Sequence, residues 1–328
     1  MIKYFLGIDV GGTKTRALIA DETGQAMGFG VSGPGNHEGV GYDGLSRAMC
    51  VAFKQAAASA GIKPAQIAWA GFGIGGYDWP SEREPHLKAI GGLSLRAPVE
   101  IVNDAVLGLL AGTSDGWGVA VVSGTGCNCW GWDRTRQHIG HVTGHGFEMG
   151  EGAGASELII KAMQAVSYEW TRRGPATQLT AAFLRHTGAR DLADLLEGVL
   201  QHKYELDSEA APLVFQVAEA GDVVANEVIR WAGCELGEMA TAVIRQLGFE
   251  KSDFDVILTG SMFDGGSLLI EPMRQTVHAL APGARLVRLA APPVVGAVLL
   301  GMEQARVKIS DDIRRKLSET SSLMQNHG

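Results

Sequence analysis

Apolar residues along this chain fall into short runs that end in Gly- and Thr-rich turns. Three such runs occupy the first 35 residues: KYFLGIDVGG, TRALIAD and AMGFGVS. A Gly/Thr turn separates the first two runs, and DETGQ separates the second from the third, which predicts three strands joined by two tight hairpins. A plain dinucleotide-binding unit would enter a helix after its first strand, so this opening predicts a different kind of α/β domain.

Helical and strand patterns alternate through the next 75 residues or so. An apolar stripe of helical period predicts a helix from Asp43 to about Ala60 that ends at Gly61. The elements predicted after it are a strand (Ile67–Ile74), a helix (Ser81–Ile90), a strand (Val99–Val102) and a helix from Asp104 to about Leu110. This alternation is typical of an α/β fold.

The opening pattern restarts after a break at residues 112–116. WGVAVVSGTG is an apolar run ending in a Gly/Thr turn, and CNCWGWD leads away from it, which predicts a second domain built like the first. Residues 151–246 are predicted to be largely helical. The last predicted elements are a strand ending in LTGS, a helix (Ser267–Leu280), a strand (Ala284–Leu289), a helix (Pro293–Gln304) and, beyond Val307, a charged tail that forms a solvated helix or a frayed end.

Composition and charge exclude several classes of protein. The 328 residues are 46% hydrophobic and carry a net charge of −8, without the basic face that nucleic-acid binding requires. No run of 18 apolar residues is free of charge, which argues against a membrane span, and the N-terminus is interpreted as a strand and not a signal peptide. The four cysteines form no CxxC pair, so we expect reduced thiols in a cytoplasmic protein.

Glycine is the unusual component, at 45 residues, about twice its ordinary share. Matches to GxGxxG at residues 28–33 and 71–76 do not open a helix, so we interpret them as turns and not as a dinucleotide site. A Walker A loop is also excluded, because Lys14 does not follow Gly12 directly.

Three turns of one chemical type follow apolar strands, and each could hold an anion. Glycine lets backbone N–H groups converge on a phosphate, and a Thr or Ser hydroxyl adds a donor. Any one of them could be an ordinary hairpin, but three together favour phosphate binding. Asp9 places a carboxylate where phosphate-bound Mg²⁺ would take an oxygen ligand. The candidate phosphate-binding residues are Gly11, Gly12, Thr13, Lys14, Gly124, Thr125 and Gly126, with Lys14 equally able to point to solvent; the third turn contains Gly260 and Ser261.

The motif GIDVGGTKT resembles the first phosphate loop of the actin/hexokinase superfamily of ATP-dependent kinases, SGTG its second loop, and LTGS its adenosine-contacting turn. Within that superfamily the chain most resembles the N-acetylglucosamine kinases and their BadF/BadG/BcrA/BcrD relatives, through GNH, IVNDA, SGTGCNC and GHGFEMGEGAGA. The resemblance implies an α/β fold of two actin-like (ribonuclease H-like) domains with a ligand cleft between them. It also implies ATP and Mg²⁺ as cofactors and an aminosugar as substrate.

The expected domain boundaries follow from this resemblance and from the repeated pattern. Residues 1–115 form the first domain, with the C-terminal helix at about 306–328 as a candidate addition. Residues 116–305 form a larger second domain with a helical insertion at about 151–247. Apolar stripes on the helical segment leave room for a homodimer, which the sequence does not decide.

Asp104 is the candidate catalytic base. It begins a helix after the strand VEIVN, a position that also suits a plain capping aspartate, and a carboxylate held ionised by a helix terminus is a weak base. The resemblance places the family's catalytic aspartate at Asp104. It also implies that the following residues line the sugar site: Asn36, His37, Gly75, Gly76, Asp104, Thr125, Asn128, Gly144, His145, Gly146 and Glu151.

Some of these positions have simpler interpretations or depart from the family. Asn36 could form an Asx turn, and His37 is more typical of a loop than of a catalyst. Glu151 stands where the family more often has aspartate, and Gly75 where it often has Ala or Ser. His145 and the nearby His141 lack a third ligand at zinc spacing.

The sequence therefore predicts an ATP-dependent kinase for the 6-hydroxyl of an aminosugar, N-acetylglucosamine first. A glucosamine kinase of the same family is the closest alternative. Two other classes stay open: an ATPase that activates a 2-hydroxyacyl-CoA dehydratase or reductase through a cysteine-bound iron–sulfur cluster, and a non-catalytic sugar sensor. The cysteines of GTGCNC belong to a phosphate loop, and no DNA-binding segment precedes Gly7, so the kinase is preferred.

Overall fold

The first sheet contains the two hairpins predicted at the start of the chain. The computed structural model describes residues 2–325, with side chains as far as residue 322. Strands β1 and β2 pair antiparallel, as do β2 and β3, whereas β4 and β5 continue from β1 in parallel, in the order β3-β2-β1-β4-β5. The strands are β1 (Tyr4–Val10), β2 (Thr15–Asp21), β3 (Ala26–Ser32), β4 (Ile67–Ile74) and β5 (Val99–Asn103).

The second sheet repeats the order and directions of the first. Its antiparallel pairs are β6 with β7 and β7 with β8, and its parallel pairs are β6 with β9 and β9 with β10. The strands are β6 (Gly118–Ser123), β7 (Cys127–Trp132), β8 (Ile139–Val142), β9 (Phe254–Thr259) and β10 (Ala284–Arg288). The recurrence predicted from the apolar runs is thus present as topology, whereas the short strand β8 was missed.

The helices pack around and between these sheets. They are α1 (His37–Ala60), α2 (Arg83–Ile90), α3 (Asp104–Gly112), α4 (Ala155–Trp170), α5 (Gln178–Thr187), α6 (Leu192–Leu200), α7 (Ala211–Glu219), α8 (Val223–Leu247), α9 (Ser267–Leu280), α10 (Pro293–Gln304) and α11 (Asp311–Gln325). Helix α1 begins six residues before its predicted start, because Asn36 caps it and the chain continues through a break at Gly41 with φ of 67°.

The interpretation of the two GxGxxG matches as mere turns was wrong. Gly28 and Gly30 lie within β3, where a Cβ atom would come within 2.1 and 2.2 Å of the carbonyl oxygens of Ala56 and Ala52 in α1. A Cβ on Gly71 in β4 would come within 2.2 Å of the carbonyl oxygen of Ala297 in α10. These glycines therefore let helices pack directly against the first sheet.

The tail beyond Val307 was expected to form a solvated helix or a frayed end, but one face of the C-terminal helix is buried. Leu317 of α11 is fully buried in a cluster with Phe5 and Leu18 of the first sheet. Lys316 of the same helix donates to Thr23 Oγ1 at 2.8 Å. Helix α11 thus packs on the first sheet, while the domain boundaries at residues 115 and 305 stay a prediction. Within residues 2–325, no helix has both the length and the apolar composition to cross a membrane.

Candidate active site

The first two predicted phosphate loops, 112 residues apart in sequence, meet between the sheets. One connects β1 to β2 and the other connects β6 to β7, so the matching topology places them at equivalent positions. The hydroxyl oxygens of Thr13 and Thr125 lie 2.9 Å apart, within hydrogen-bonding distance. The structure therefore joins two of the three turns into one site.

The second loop is held from both sides. At the start of α4, the backbone N–H groups of Ala155 and Ser156 donate to the carbonyl oxygens of Gly124 and Thr125 at 2.8 and 3.0 Å. The third turn packs on the base of this loop, because a Cβ on Gly260 would come within 2.1 Å of the carbonyl oxygen of Ser123. The predicted adenosine-contacting residues, Gly260 and Ser261, therefore lie next to the second loop.

Three of the loop glycines are open to ligand approach. A Cβ placed on Gly12, Gly124 or Gly126 would meet no atom within 4 Å. Packing inside the protein does not explain these glycines, whereas close approach of an anion to the backbone would. Lys14 is exposed beside the first of them.

Asp9 provides a buried carboxylate close to the first loop. Its Oδ2 lies 3.5 Å from Nη1 of Arg16 on the neighbouring strand. Burial raises the pKa of Asp9 to about 6, Arg16 lowers it, and the negative charge of Asp104 raises it further. A carboxylate in such surroundings is stabilised by a nearby cation, so the site fits the predicted Mg²⁺.

Asp104 is the first residue of α3, and its carboxylate is not used to cap the helix. The capping residue is Asn103, whose Oδ1 accepts from the backbone N–H of Ala105 at 2.9 Å. Asp104 Oδ1 instead accepts from Asn128 Nδ2 at 3.0 Å, which links the two sheets. Burial raises the pKa of Asp104, although the hydrogen bond from Asn128 opposes this shift. Asp104 is therefore a stronger base than a helix terminus alone would leave it.

Asn103 and Asp78 belong to the site, and sequence reasoning missed both. Asn103 is 1% exposed, and its Nδ2 donates to Asp78 Oδ1 at 3.0 Å. Its Oδ1 also accepts from Asn128 Nδ2 at 3.3 Å. Burial, together with the charges of Asp104, Glu38 and other carboxylates, raises the pKa of Asp78 to about 7. The signal for Asn103 was available, since asparagine is among the best helix caps.

The predicted sugar residues Asn36, Gly76 and His145 meet around Glu38. Asn36 Nδ2 donates to Glu38 Oε2 at 3.0 Å, and Asn36 Oδ1 accepts from the backbone N–H of Glu38. A Cβ on Gly76, whose φ is 80°, would lie 2.5 Å from Asn36 Oδ1. His145 Nδ1 lies 3.6 Å from Glu38 Oε1, so this contact reaches across from the second half of the chain. Ligand atoms of Glu38, Asp78 and His145 all lie within 4.8 Å of one another, a grouping that sequence spacing could not reveal.

Glu151 holds the loop that contains Gly144, His145 and Gly146. Its Oε2 accepts from the Thr143 hydroxyl at 3.0 Å and from the backbone N–H of Gly144 at 2.8 Å. The backbones of Gly146 and Glu151 also pair in both directions. One carboxylate oxygen of Glu151 is thus already engaged with the loop.

Gly75 approaches the candidate base directly. A Cβ on Gly75 would lie 3.3 Å from Asp104 Oδ2, so the side chain that the family often carries here would touch this carboxylate. His37, in contrast, stacks on Tyr42 with ring centroids 4.6 Å apart and lies 3.6 Å from Glu82, so its ring packs within the first half of the chain.

Cys127 and Cys129 point away from Asn128, as their alternation on a strand predicted. Both thiols lie in the apolar core between the second sheet and the long helices. Burial raises the pKa of Cys127 to about 12 and that of Cys129 well above its ordinary value. These thiols are poor candidates for a metal cluster shared with a second subunit, because a ligand must be an accessible thiolate.

Comparisons with known proteins agree with this geometry. The BadF/BadG/BcrA/BcrD ATPase family matches residues 6–301. An N-acetyl-D-glucosamine kinase from Dictyostelium discoideum is 25% identical, over 93% of this chain and 99% of that protein. An N-acetylmuramic acid/N-acetylglucosamine kinase from Clostridium acetobutylicum is 22% identical, over 92% of this chain and 99% of that protein. Both relatives are sugar kinases, phosphotransferases with an alcohol group as acceptor, in agreement with the predicted enzyme class.

The fold is also that of a solved protein. The crystal structure of a candidate N-acetylglucosamine kinase from Chromobacterium violaceum superposes with a TM-score of 0.68 at 22% identity, covering 91% of this chain and 99% of that one. The likeness confirms the predicted α/β fold of two related sheets. The family match spans both sheets and all three glycine turns, and this chain belongs to the BadF/BadG/BcrA/BcrD ATPase family.

Proposed function

We propose that this protein is an ATP-dependent kinase that phosphorylates the 6-hydroxyl of an aminosugar, N-acetylglucosamine in the first place. The observation that carries the proposal is the position of Asp104. Its carboxylate does not cap α3, accepts a hydrogen bond from Asn128 on the second sheet and has a raised pKa. A group with these properties is suited to accept a proton from a sugar hydroxyl.

The chain's own residues divide the work of phosphoryl transfer. The backbone N–H groups of Gly12 and Gly126 and the hydroxyls of Thr13 and Thr125 bind the ATP phosphates. The N–H of Gly124 instead donates to the carbonyl oxygen of Gly126 at 2.8 Å and holds the second loop in shape. The sugar oxygen forms its bond to the γ-phosphorus as the bond from that phosphorus to the β,γ-bridging oxygen breaks. Asp104 takes the proton from the hydroxyl, and ADP leaves. Since such transition states are loose, positioning and charge stabilisation supply most of the acceleration.

Asp9 would hold Mg²⁺, directly or through water. When bound, this ion neutralises charge that develops on the phosphates. Arg16 keeps the Asp9 carboxylate in place at 3.5 Å.

The acceptor hydroxyl is positioned from the other side of the cleft. Asn36, Asn128 and the loop of residues 144–146 supply hydrogen-bonding groups for the sugar, and Glu151 fixes that loop. The choice of the acetylated sugar over glucosamine rests on the two curated relatives, both of which are named for N-acetylglucosamine.

Two other classes receive less support from the site. An activator ATPase needs accessible thiolates for its cluster, whereas Cys127 and Cys129 are buried in the core. A sugar sensor would have no use for a carboxylate with a raised pKa beside the phosphate loops.

ATP-coupled turnover across a panel of hexosamines tests the proposal. We expect ADP release that depends on N-acetylglucosamine, with the product phosphorylated at the 6-position by ³¹P–¹H NMR. A preference for free glucosamine would show that glucosamine, and not N-acetylglucosamine, is the acceptor. Release of ADP without any sugar dependence would contradict the kinase function itself.

A further inference from the structure

The predicted sugar-binding residues are accompanied by carboxylates to which phosphoryl transfer assigns no role, and Glu38 is the first of them. Glu38 contacts Asn36 at 3.0 Å and lies 3.6 Å from His145, both of which are predicted sugar residues. A Cβ on Gly76 would lie 3.1 Å from Glu38 Oε2. Glu38 is therefore placed among the acceptor-binding residues and not merely at the start of α1.

Further carboxylates surround this position. Glu38, Glu82, Asp104 and Glu151 all act on Asp78 through their negative charges. Across residues 2–325, no lysine or arginine forms an ion pair with Glu38, Asp78, Asp104 or Glu151. The ring of His145 is the one ionisable base that pairs with Glu38 within the described chain.

An independent observation points to a ligand that donates hydrogen bonds. Asn128 is 8% exposed, and its Oδ1 is buried with no hydrogen-bond partner within the part of the chain that the structure describes. Its Nδ2 is already bonded to Asp104. A buried carbonyl oxygen of this kind is satisfied by a hydroxyl or N–H group and not by a carboxylate.

We propose that the acceptor site selects uncharged or cationic hexosamines and rejects hexosamines that carry a carboxylate, with Glu38 as the specificity-determining residue. This inference rests on the proposed kinase function. It separates the chain from its Clostridium acetobutylicum relative, which is named for N-acetylmuramic acid as well as N-acetylglucosamine. The Glu38 side chain is 44% exposed and therefore screened by solvent, so the repulsion comes from Glu38 together with the half-buried Asp104. Together these charges should disfavour binding of a carboxylate by about 10²-fold.

Three acceptors separate charge from bulk: N-acetylglucosamine, N-acetylmuramic acid, and the methyl ester of N-acetylmuramic acid. The ester keeps the bulk of the lactyl group but has no charge. We expect kcat/KM for the acid to be about 10²-fold below that for the ester. Equal values of kcat/KM for the acid and the ester, whether high or low, would show that the charge of the acceptor does not determine specificity. That result would overturn the inference. Turnover of none of the three sugars would contradict N-acetylated hexosamines as the acceptors of the proposed kinase, a result distinct from equal turnover.

Glu38→Gln assigns the effect to one residue. This variant keeps an acceptor for Asn36 and removes the charge. We expect it to raise the ratio of kcat/KM for the acid to kcat/KM for the ester by about 10-fold. Glu84→Gln, on the exposed side of α2, is the matched control and should leave the ratio of acid to ester unchanged. If Glu38→Gln leaves the acid-to-ester ratio of kcat/KM unchanged, Glu38 is not the specificity-determining residue.

Discussion

The hydroxyl oxygens of Thr13 and Thr125 lie 2.9 Å apart although 112 residues separate them in the chain. Each belongs to the turn between the first two strands of its sheet, and the two sheets share one topology. The contact therefore joins equivalent loops of a structural repeat. In the proposed function, a triphosphate placed between them would take hydrogen bonds from both.

Loss of the Thr125 hydroxyl should weaken use of ATP. A hydrogen bond to a charged group contributes about 1.5–3 kcal/mol, so Thr125→Val should lower kcat/KM for ATP by roughly 10- to 100-fold, with a smaller effect on the KM for sugar. Steady-state kinetics with each substrate varied will check this. Thr135→Val, whose hydroxyl bonds to Asp133 in a turn after β7, is the control. Equal behaviour of the two variants would argue against phosphate binding at Thr125.

Asn103 should act as a positioning residue separable from its role as a helix cap. Asn103→Ser keeps a side-chain oxygen for the N–H of Ala105 but loses the donor to Asp78. Ser and Asn cap helices about equally well, so the loss of stability should come from the buried bond to Asp78 and amount to about 1–3 kcal/mol. We expect kcat to fall by roughly 10-fold or more while the KM for sugar changes little. If Asn103→Ser lowers the melting temperature as much as Asn103→Ala does and leaves kcat unchanged, Asn103 acts only as a helix cap.

Asp78 should make the folded state less stable as the pH rises. Its pKa is raised from 3.8 to about 7 on folding, so the native state keeps a proton that the unfolded state has released. The penalty is absent below pH 4, grows between pH 4 and 7, and is complete above 7. Asp78→Asn should therefore be more stable than the wild type at pH 8, by about 2 kcal/mol, and nearly equal to it at pH 4.5. Urea unfolding at both pH values measures this. A stability difference independent of pH would contradict the assignment.

The strands and turns of this fold could be predicted because each rests on a local pattern. β4, α9 and α10 have the bounds that their apolar periods and flanking Gly or Pro residues predicted. β8 could not be found in this way, because Ile139–Val142 is short and contains a glycine and a histidine. The close packing of Gly28 against α1 also lies outside any local pattern, since it depends on which helix crosses the strand.

The residues of the candidate site also differ in whether a local sequence pattern indicates them. Asp104 and the glycine turns follow strand ends, where a local motif indicates chemistry. Asp78 lies in a loop, and its raised pKa arises from burial and from carboxylates distant in sequence. Glu38 has the ordinary appearance of an acidic residue in the first turn of a helix, and only the contact with His145 shows that it faces the second half of the chain. Long-range contacts of this kind carry no signal in a single sequence.

The most direct test of Asp104 as the catalytic base is Asp104→Asn, which keeps the size of the side chain and removes its basicity. Phosphorylation of N-acetylglucosamine is measured in single turnover, and sugar binding by titration calorimetry on the same preparation. We expect the rate of transfer to fall by roughly 10²- to 10⁴-fold while the Kd for the sugar changes by only a few fold. A transfer rate within a few fold of the wild type would contradict Asp104 as the base and with it the proposed chemistry of the cleft.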